Sequence, residues 1–492
     1  MANIRRALVF ASAGRYAARA VNLVMTFVLA RMMGPSEFGV SVLGASAFLI
    51  LEAIRELASV NYLVQQQELT RDKINSAFTV SLAITAVLTI MALLLAQPIA
   101  AFYGEPRLAT YIYVTAFGFA LGPLMQPIYA LWSRALAFRT IAFMDVLSAA
   151  INAIGSIALV SLGFSYMGLA WASTLSAGIG VALACWLTRH QLAIFRLSLK
   201  EWRSVFSFGL YSSATAIIYK VSDAFAFMVF GRILNTQAVG LLQRAVTLSS
   251  FPDSVILAGV SAVALPAFSH KARSGEDLKQ AYLTALSHVS ALQWPALVFI
   301  GTMATPLTLL VLGPRWIEVA PLVQILAFAS MFNFALTLNF PILVAAGAIR
   351  HTLPIAIVQV VLAQPIYVLA ATQGLQTIAL SAFATVPLGL ILWTSLVRAH
   401  VPFRLDEFFA TLGKSAVILL CSAAGPIAVL IYRQGAPSIS DAAAAAGLWA
   451  TGWLLAVRLT RHPLLCEMNK ARTAILRQLR KKTGAKPPPN AN

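Results

Sequence analysis

Apolar residues fall in windows of about 20, enough for a helix to cross a hydrocarbon layer about 30 Å thick. Fourteen such windows stand out: 7–31, 39–63, 76–101, 109–132, 140–162, 166–188, 205–230, 238–266, 281–312, 320–347, 353–372, 376–398, 412–432 and 441–460. Short cation-rich stretches separate them. Proline takes a donor N–H out of a helix, so Pro252 in the eighth window and Pro295 in the ninth should kink their helices. The pattern predicts an all-α polytopic membrane protein with about fourteen transmembrane helices.

The first window is apolar yet contains Arg15 and Arg19, four residues apart and on one helical face. At 1.5 Å per residue, Arg19 lies about 18 Å along the helix from Ala7, near the middle of the bilayer. An arginine there costs at least about 3 kcal/mol unless a polar cavity or an anion receives it.

Cations elsewhere set the orientation. With the N-terminus in the cytoplasm, twenty-five of the 36 Lys and Arg fall on the cytoplasmic side. Only Arg31, Arg107, Arg232, Arg315 and Arg433 fall opposite. That asymmetry predicts an even number of spans with both termini inside. The tail over 462–492 is basic and suited to anionic headgroups.

A shift of 201 residues superimposes the two halves. Arg31 falls on Arg232, Gly39 on Gly240, Arg19 on Lys220, Asn22 on Asp223 and Glu52 on Asp253. Both copies begin with a helix leaving the cytoplasm, so the repeat is parallel. Transporters of that design place substrate between the halves. The expected organisation is a six-helix lobe with its linker (1–200), a second six-helix lobe (201–400), two additional helices (401–461) and the tail.

Composition agrees. The chain has 492 residues, 59% of them hydrophobic and only 11% charged, where a soluble protein carries about twice that charge. The net charge of +19 sits in loops and tail, which argues for a membrane surface over nucleic acid. Cys185, Cys421 and Cys466 have no metal-ligand or disulfide spacing. There is no HExxH pair and no Gly-x-Ser-x-Gly elbow. Gly413-Lys414-Ser415 lacks the first glycine of a phosphate loop, because Phe408 stands there. No catalytic residue, cofactor or metal is expected.

Several segments carry a family resemblance. Leu29-Ala-Arg-Met-Met-Gly-Pro-Ser-Glu-Phe-Gly39 is similar to the first-loop signature of bacterial polysaccharide flippases. Phe102-Tyr-Gly-Glu-Pro106, Arg134-Ala-Leu-Ala-Phe138, Val311-Leu-Gly-Pro-Arg-Trp316 and Ala345-Ala-Gly-Ala-Ile-Arg350 follow in the matching order. Together they resemble the lipid-linked oligosaccharide exporters of the multidrug/oligosaccharidyl-lipid/polysaccharide superfamily. The resemblance implies two six-helix lobes with extra C-terminal helices. It also implies export of undecaprenyl-pyrophosphate-linked repeat units across the inner membrane, and cations on the first, second and eighth helices. Here those helices carry Arg15, Arg19, Arg55 and Arg244. A polysaccharide polymerase complex is a candidate partner, and the chain is expected to act as a monomer.

The intramembrane charges are the candidate site. Arg15, Arg19, Arg55, Lys220 and Arg244 are candidate substrate-binding cations; Glu52, Glu56, Asp223 and Asp253 are candidate coupling or charge-pairing acids. Glu52, Arg55 and Glu56 at i, i+3 and i+4 should share a face. Glu52 can pair with Arg55 or Arg19, and Lys220 with Asp223. Arg244 has no carboxylate one turn away and is expected to be the freest cation. Asp145, Lys414 and His288 suit capping, snorkelling and packing. Two other classes remain: a multidrug antiporter, whose cavity should be aromatic and acidic, and a sugar polymerase or glycosyltransferase, which needs a larger outer loop.

Overall fold

The computed structural model describes residues 2–58, 60–66, 68–189, 194–434 and 437–466, and among them every regular element is a helix. The expected tail lies outside the described residues from 467 onward. The first half contains α1 (Ala2–Met32), α2 (Pro35–Arg55), α3 (Val60–Gln65), α4 (Arg71–Tyr103), α5 (Arg107–Ala120), α6 (Gly122–Arg134), α7 (Phe138–Leu159) and α8 (Tyr166–Leu187). Then come α9 (Trp202–Ile233), α10 (Thr236–Ser249), α11 (Phe251–Arg273), α12 (Leu278–Thr302), α13 (Ala304–Val311), α14 (Val319–Ser330) and α15 (Leu336–Ala345). The last four are α16 (Thr352–Gln373), α17 (Leu375–His400), α18 (Leu405–Tyr432) and α19 (Ile439–Leu459).

Each of the fourteen apolar windows lies on one of these helices or on a broken pair. Twelve helical segments among the described residues are long and apolar enough to cross a membrane. The first and eighth windows are outside that set. The first lies on α1, which carries five arginines, and the eighth is divided between α10 and α11.

The breaks have chemical causes. Proline withdraws the N–H that would serve the carbonyl four residues back. Pro123 leaves the Phe119 carbonyl short, and the chain breaks into α5 and α6 beside it. Pro295 leaves the Ala291 carbonyl short, and the indole of Trp453 on α19 donates to it at 2.9 Å. Trp449, one turn earlier on α19, donates to the Pro295 carbonyl at 2.9 Å. The C-terminal helix thus repairs the proline defect in α12. Each such bond contributes about 1 kcal/mol net, and an unmet buried carbonyl costs about 1–3 kcal/mol.

The second window departs from expectation. The α-helix ends at Arg55, and Glu56–Ala58 form a 3-10 turn before α3. Glu56 therefore opens the 3-10 turn and does not continue the α-helix that carries Glu52 and Arg55.

The chain divides into two compact units. The first comprises Met1–Arg244, Thr308–Val319 and Ala356–Ser381; the second comprises Ala245–Leu307, Ala320–Ile355 and Ala382–Asn492. The first unit runs past the expected lobe boundary at residue 200 because α9 lies tightly on α2. A Cβ on Gly209 would stand 1.7 Å from the Leu57 carbonyl oxygen, and one on Gly231 2.4 Å from the Leu43 side chain. In the same unit α1 packs on α7, where Gly14 faces Ala142.

At the start of α2 and α10 a reciprocal contact occurs. A Cβ on Gly39 would lie 1.7 Å from the Thr236 carbonyl oxygen, and a Cβ on Gly240 2.1 Å from the Pro35 carbonyl oxygen. The Ser36 and Thr236 hydroxyls are 3.3 Å apart. Thr236 and Gly240 are the 201-residue counterparts of Pro35 and Gly39, so residue i meets j while j's counterpart meets i's, as across a two-fold axis.

The second unit is built on α12, α18 and α19. Gly425 and Gly452 bring α18 and α19 together against Leu448 and the Cys421 carbonyl. The buried hydroxyls of Ser290 and Ser415 bond at 2.9 Å, and Tyr282 donates to Asn339 at 2.6 Å. Beyond α19, His462 turns back into the interior. Its Nδ1 accepts from the Leu464 N–H at 3.2 Å, so Nε2 carries the proton and donates to Ser287 at 2.7 Å.

Candidate functional site

The α5–α6 break makes a seat for Arg55. Its Nη1 donates to the Phe119 carbonyl at 3.2 Å, the acceptor left short by Pro123. The guanidinium stands 4.6 Å over the Phe119 ring. A Cβ on Gly122 would stand 2.0 Å from Nη1, so any larger residue there would push the guanidinium out of this position. Glu52 reaches the other edge at 3.8 Å and is about half exposed. Arg55 is therefore fixed chiefly by a carbonyl and a ring, with a carboxylate at arm's length.

Lys220 does not pair with Asp223 one turn along. It bonds Glu56 across the α2–α9 contact. The 3-10 turn aims Glu56 at α9, and Ser213 on α9 donates to the Glu56 carbonyl at 3.4 Å. Both partners of the pair are more than a third exposed, so its net worth is about 0–1 kcal/mol. A weak, wet ion pair is one that a stronger anion displaces readily. Asp223 is exposed on α9.

Arg15 and Arg19 are exposed on α1, and neither is without a partner. Asp145 accepts from the Tyr129 hydroxyl at 2.9 Å.

Arg244 corrects the expectation that it would be the freest cation. It is 4% exposed. Its guanidinium carbon lies 3.6 Å from the Phe38 ring centre and 5.6 Å from that of Trp316. The rings meet edge to face at 6.1 Å. Its Nε is buried with no hydrogen-bond partner among the described residues. The missing carboxylate was legible; that two aromatic rings take its place was not. The same cage closes a helix end. Trp316 donates to the Ala30 carbonyl at 2.5 Å, and Arg31 donates to the Leu310 carbonyl at 2.5 Å. Each loop thus satisfies an orphan carbonyl at the end of α1 or α13. Two of the five motifs that carry the resemblance, 29–39 and 311–316, touch here.

In the second unit, Asp253 lies in the first turn of α11. It accepts from the Gln293 amide at 2.6 Å and from Asn333. Phe38, Trp316, Gly122, Gln293 and Asn333 were not singled out from sequence. Pro123, placed four residues after Phe119, was the available signal for the Arg55 seat.

Known proteins resemble this chain in both sequence and fold. The polysaccharide biosynthesis protein family matches residues 28–321, more than half of the chain. The succinoglycan biosynthesis transport protein ExoT of Rhizobium meliloti (strain 1021) is 25% identical over 61% of this chain and 61% of its own length. The lipopolysaccharide biosynthesis protein WzxC of Escherichia coli (strain K12) is 21% identical over 64% of each chain. The chain thus spans about three fifths of the length of these relatives. A lipid II flippase MurJ in an inward closed conformation superposes with a TM-score of 0.74, covering 93% of this chain and 100% of that one at 13% identity. With its broken apolar helices and its cations seated among carbonyls and rings, this multi-pass membrane protein belongs to the polysaccharide biosynthesis protein family and has the fold of that flippase.

Proposed function

We propose that the protein is a flippase that exports undecaprenyl-pyrophosphate-linked oligosaccharide repeat units across the bacterial inner membrane by alternating access. It has fourteen spans in this reading, with both termini cytoplasmic. The single observation that carries it is the pairing state of the cations. Arg55 is held in place by a carbonyl and a ring, with the half-exposed Glu52 carboxylate at 3.8 Å as a loose counter-charge. Lys220 is held by a half-exposed carboxylate that a diphosphate can replace. Arg15 and Arg19 are exposed. Charge-assisted bonds to an anion contribute about 1.5–3 kcal/mol each. Glu52 and Glu56 hold the cations while no anion is bound. An inside-negative potential drives an anion outward by about 2.3 kcal/mol per charge per 100 mV. The names of the relatives, a succinoglycan transport protein and a lipopolysaccharide biosynthesis protein, agree with such a cargo and with a transporter in place of an enzyme.

The test is surface polysaccharide in a deletion strain complemented at matched membrane levels. Arg55→Ala should reduce export at least about tenfold, the loss of one contact of about 1.4 kcal/mol or more. Arg55→Lys should recover only part, because a lysine cannot donate in a planar fork. Normal glycan from Arg55→Ala would remove the cation-site mechanism. Drug resistance conferred on a sensitive host would favour a multidrug antiporter.

A further inference from the structure

Two helix breaks and one proline within a helix converge on Asp253 in the second unit. The first is the break between α10 and α11, which puts Asp253 in the opening turn of α11. The second is the 3-10 stretch Met331–Ala335 between α14 and α15, which contains Asn333. The third is Pro295 inside α12, two residues after Gln293. Trp294 ties two of them together by donating to the Met331 carbonyl at 2.8 Å. Interrupted helices expose backbone termini inside a bundle, and transporters build coupling-ion sites at such places.

The groups aimed at Asp253 are all neutral. Gln293 is completely buried and donates to one carboxylate oxygen at 2.6 Å. Asn333 donates to the same carboxylate. Among the described residues no Lys or Arg lies within ion-pair distance of Asp253. The helices packed most extensively on α11 are α12 and α15. Their titratable groups are Lys279, Tyr282 and His288 on α12, and α15 has none. Tyr282 is about 16 Å along α12 from Gln293 and donates to Asn339. Lys279 is about 21 Å along α12 from Gln293 and is paired with Glu407. His288 is about 7.5 Å along and stacks near His462. On α11 itself, His270, Lys271 and Arg273 are at the opposite end. Opposed influences therefore act on this carboxylate. The α11 N-terminus and two amide donors favour its charge, while burial without a cation opposes it.

One further observation points to a ligand. The Gln293 Oε1 is buried with no hydrogen-bond partner among the described residues. A carboxylate only accepts, whereas a carboxylic acid also donates. A glutamine amide rotated by half a turn presents its oxygen in place of its NH₂, so Gln293 can serve either form. A metal ion fits poorly, because both amides turn donors toward the carboxylate and supply no oxygen cage.

We propose that Asp253 reversibly binds a proton, with Gln293 as its rotating partner, and that this site couples proton movement to the transport cycle. The proposal rests on the flippase reading for what is transported but not for the protonation itself. The step is a simple transfer: H⁺ joins a carboxylate oxygen, and the new O–H donates to Gln293 Oε1.

The experiment is infrared difference spectroscopy of the purified full-length chain between about pH 5 and pH 9, beyond the carboxylate and histidine ranges. No substrate is added, so its outcome is separate from that of the export assay. Wild type should show the carbonyl band of a neutral carboxylic acid at low pH, and Asp253→Asn should lose it. Asp253→Glu should show a shifted band, which identifies the group even where Asp253→Asn alters the fold. Gln293→Leu should move the band to higher frequency by removing the acceptor of the O–H. The band should be the same in sodium chloride and choline chloride. A spectrum unchanged by Asp253→Asn would overturn the proposal, as would a band that sodium suppresses.

Discussion

Adding one methyl group to Gly240 tests whether the reciprocal contact between α2 and α10 opens and closes during transport. In the present conformation the new Cβ would stand 2.1 Å from the Pro35 carbonyl oxygen and 3.1 Å from the Gly39 nitrogen. Both are backbone atoms, so no side-chain rotation relieves the clash. Overpacking of this kind costs about 1–3 kcal/mol. The cost applies only where the helix starts touch, because Gly240 has ordinary helical backbone geometry that alanine adopts freely. At about 1.4 kcal/mol per decade, Gly240→Ala should lower the population of the closed contact roughly 5- to 150-fold. The readout is disulfide formation in Ser36→Cys/Thr236→Cys, whose parent hydroxyls are 3.3 Å apart. Cys185, Cys421 and Cys466 are replaced by serine in that background. Oxidation should be fast in the parent and slowed at least about fivefold by Gly240→Ala, with surface polysaccharide reduced in parallel. Gly39→Ala should do the same, since its Cβ meets Thr236 at 1.7 Å. Undiminished cross-linking in both variants would show that the backbones yield, and the steric reasoning would fail.

Trp453→Phe keeps an aromatic ring, though a smaller one, but removes the donor to the Ala291 carbonyl, and should cost at least about 1–3 kcal/mol, seen as a lower unfolding midpoint in detergent. An unchanged midpoint would mean that another donor reaches that carbonyl. Glu56→Gln should change stability by less than about 1 kcal/mol yet alter export, because Lys220 loses its resting partner; a large stability loss with normal export would make the pair structural. His462 lies beyond α19, and burial, with His288 and Lys414 nearby, pushes its pKa down to about 4 from the ordinary 6.5. The unfolded chain then takes up the proton first, so stability is fully present above about pH 6.5 and falls as the pH drops toward about 4. His462→Gln should flatten that part of the unfolding-midpoint profile, and an unaltered slope would assign the acid sensitivity elsewhere.

Helix positions were the most legible part of the chain, because bilayer thickness fixes the length of an apolar window and leaves few alternatives. What local pattern hid was where helices stop. Arg55 and Glu56 look like successive positions on one face, yet the α-helix ends between them, and the turn that follows answers to Lys220 on a distant helix. Pro295 announced a kink, but not that Trp453 of α19 would supply its missing donor. The location of the intramembrane charges was visible as a violation of the apolar pattern. Their partners were not, since Lys220 and Glu56 are 164 residues apart and no periodicity spans that gap. Arg244 shows the limit most clearly: the missing carboxylate was correct, but rings can take a cation as well as an acid can.

The dependence of α12 on α19 has a historical side. Without Trp453, a proline at position 295 would leave the Ala291 carbonyl bare inside a membrane protein, where an unmet backbone group costs several kcal/mol. Pro295 and the indole of Trp453 therefore act as one unit, although α12 lies within the 201-residue correspondence and α19 outside it. Relatives that lack a counterpart of α19 should accordingly keep an N–H-bearing residue at the position of Pro295.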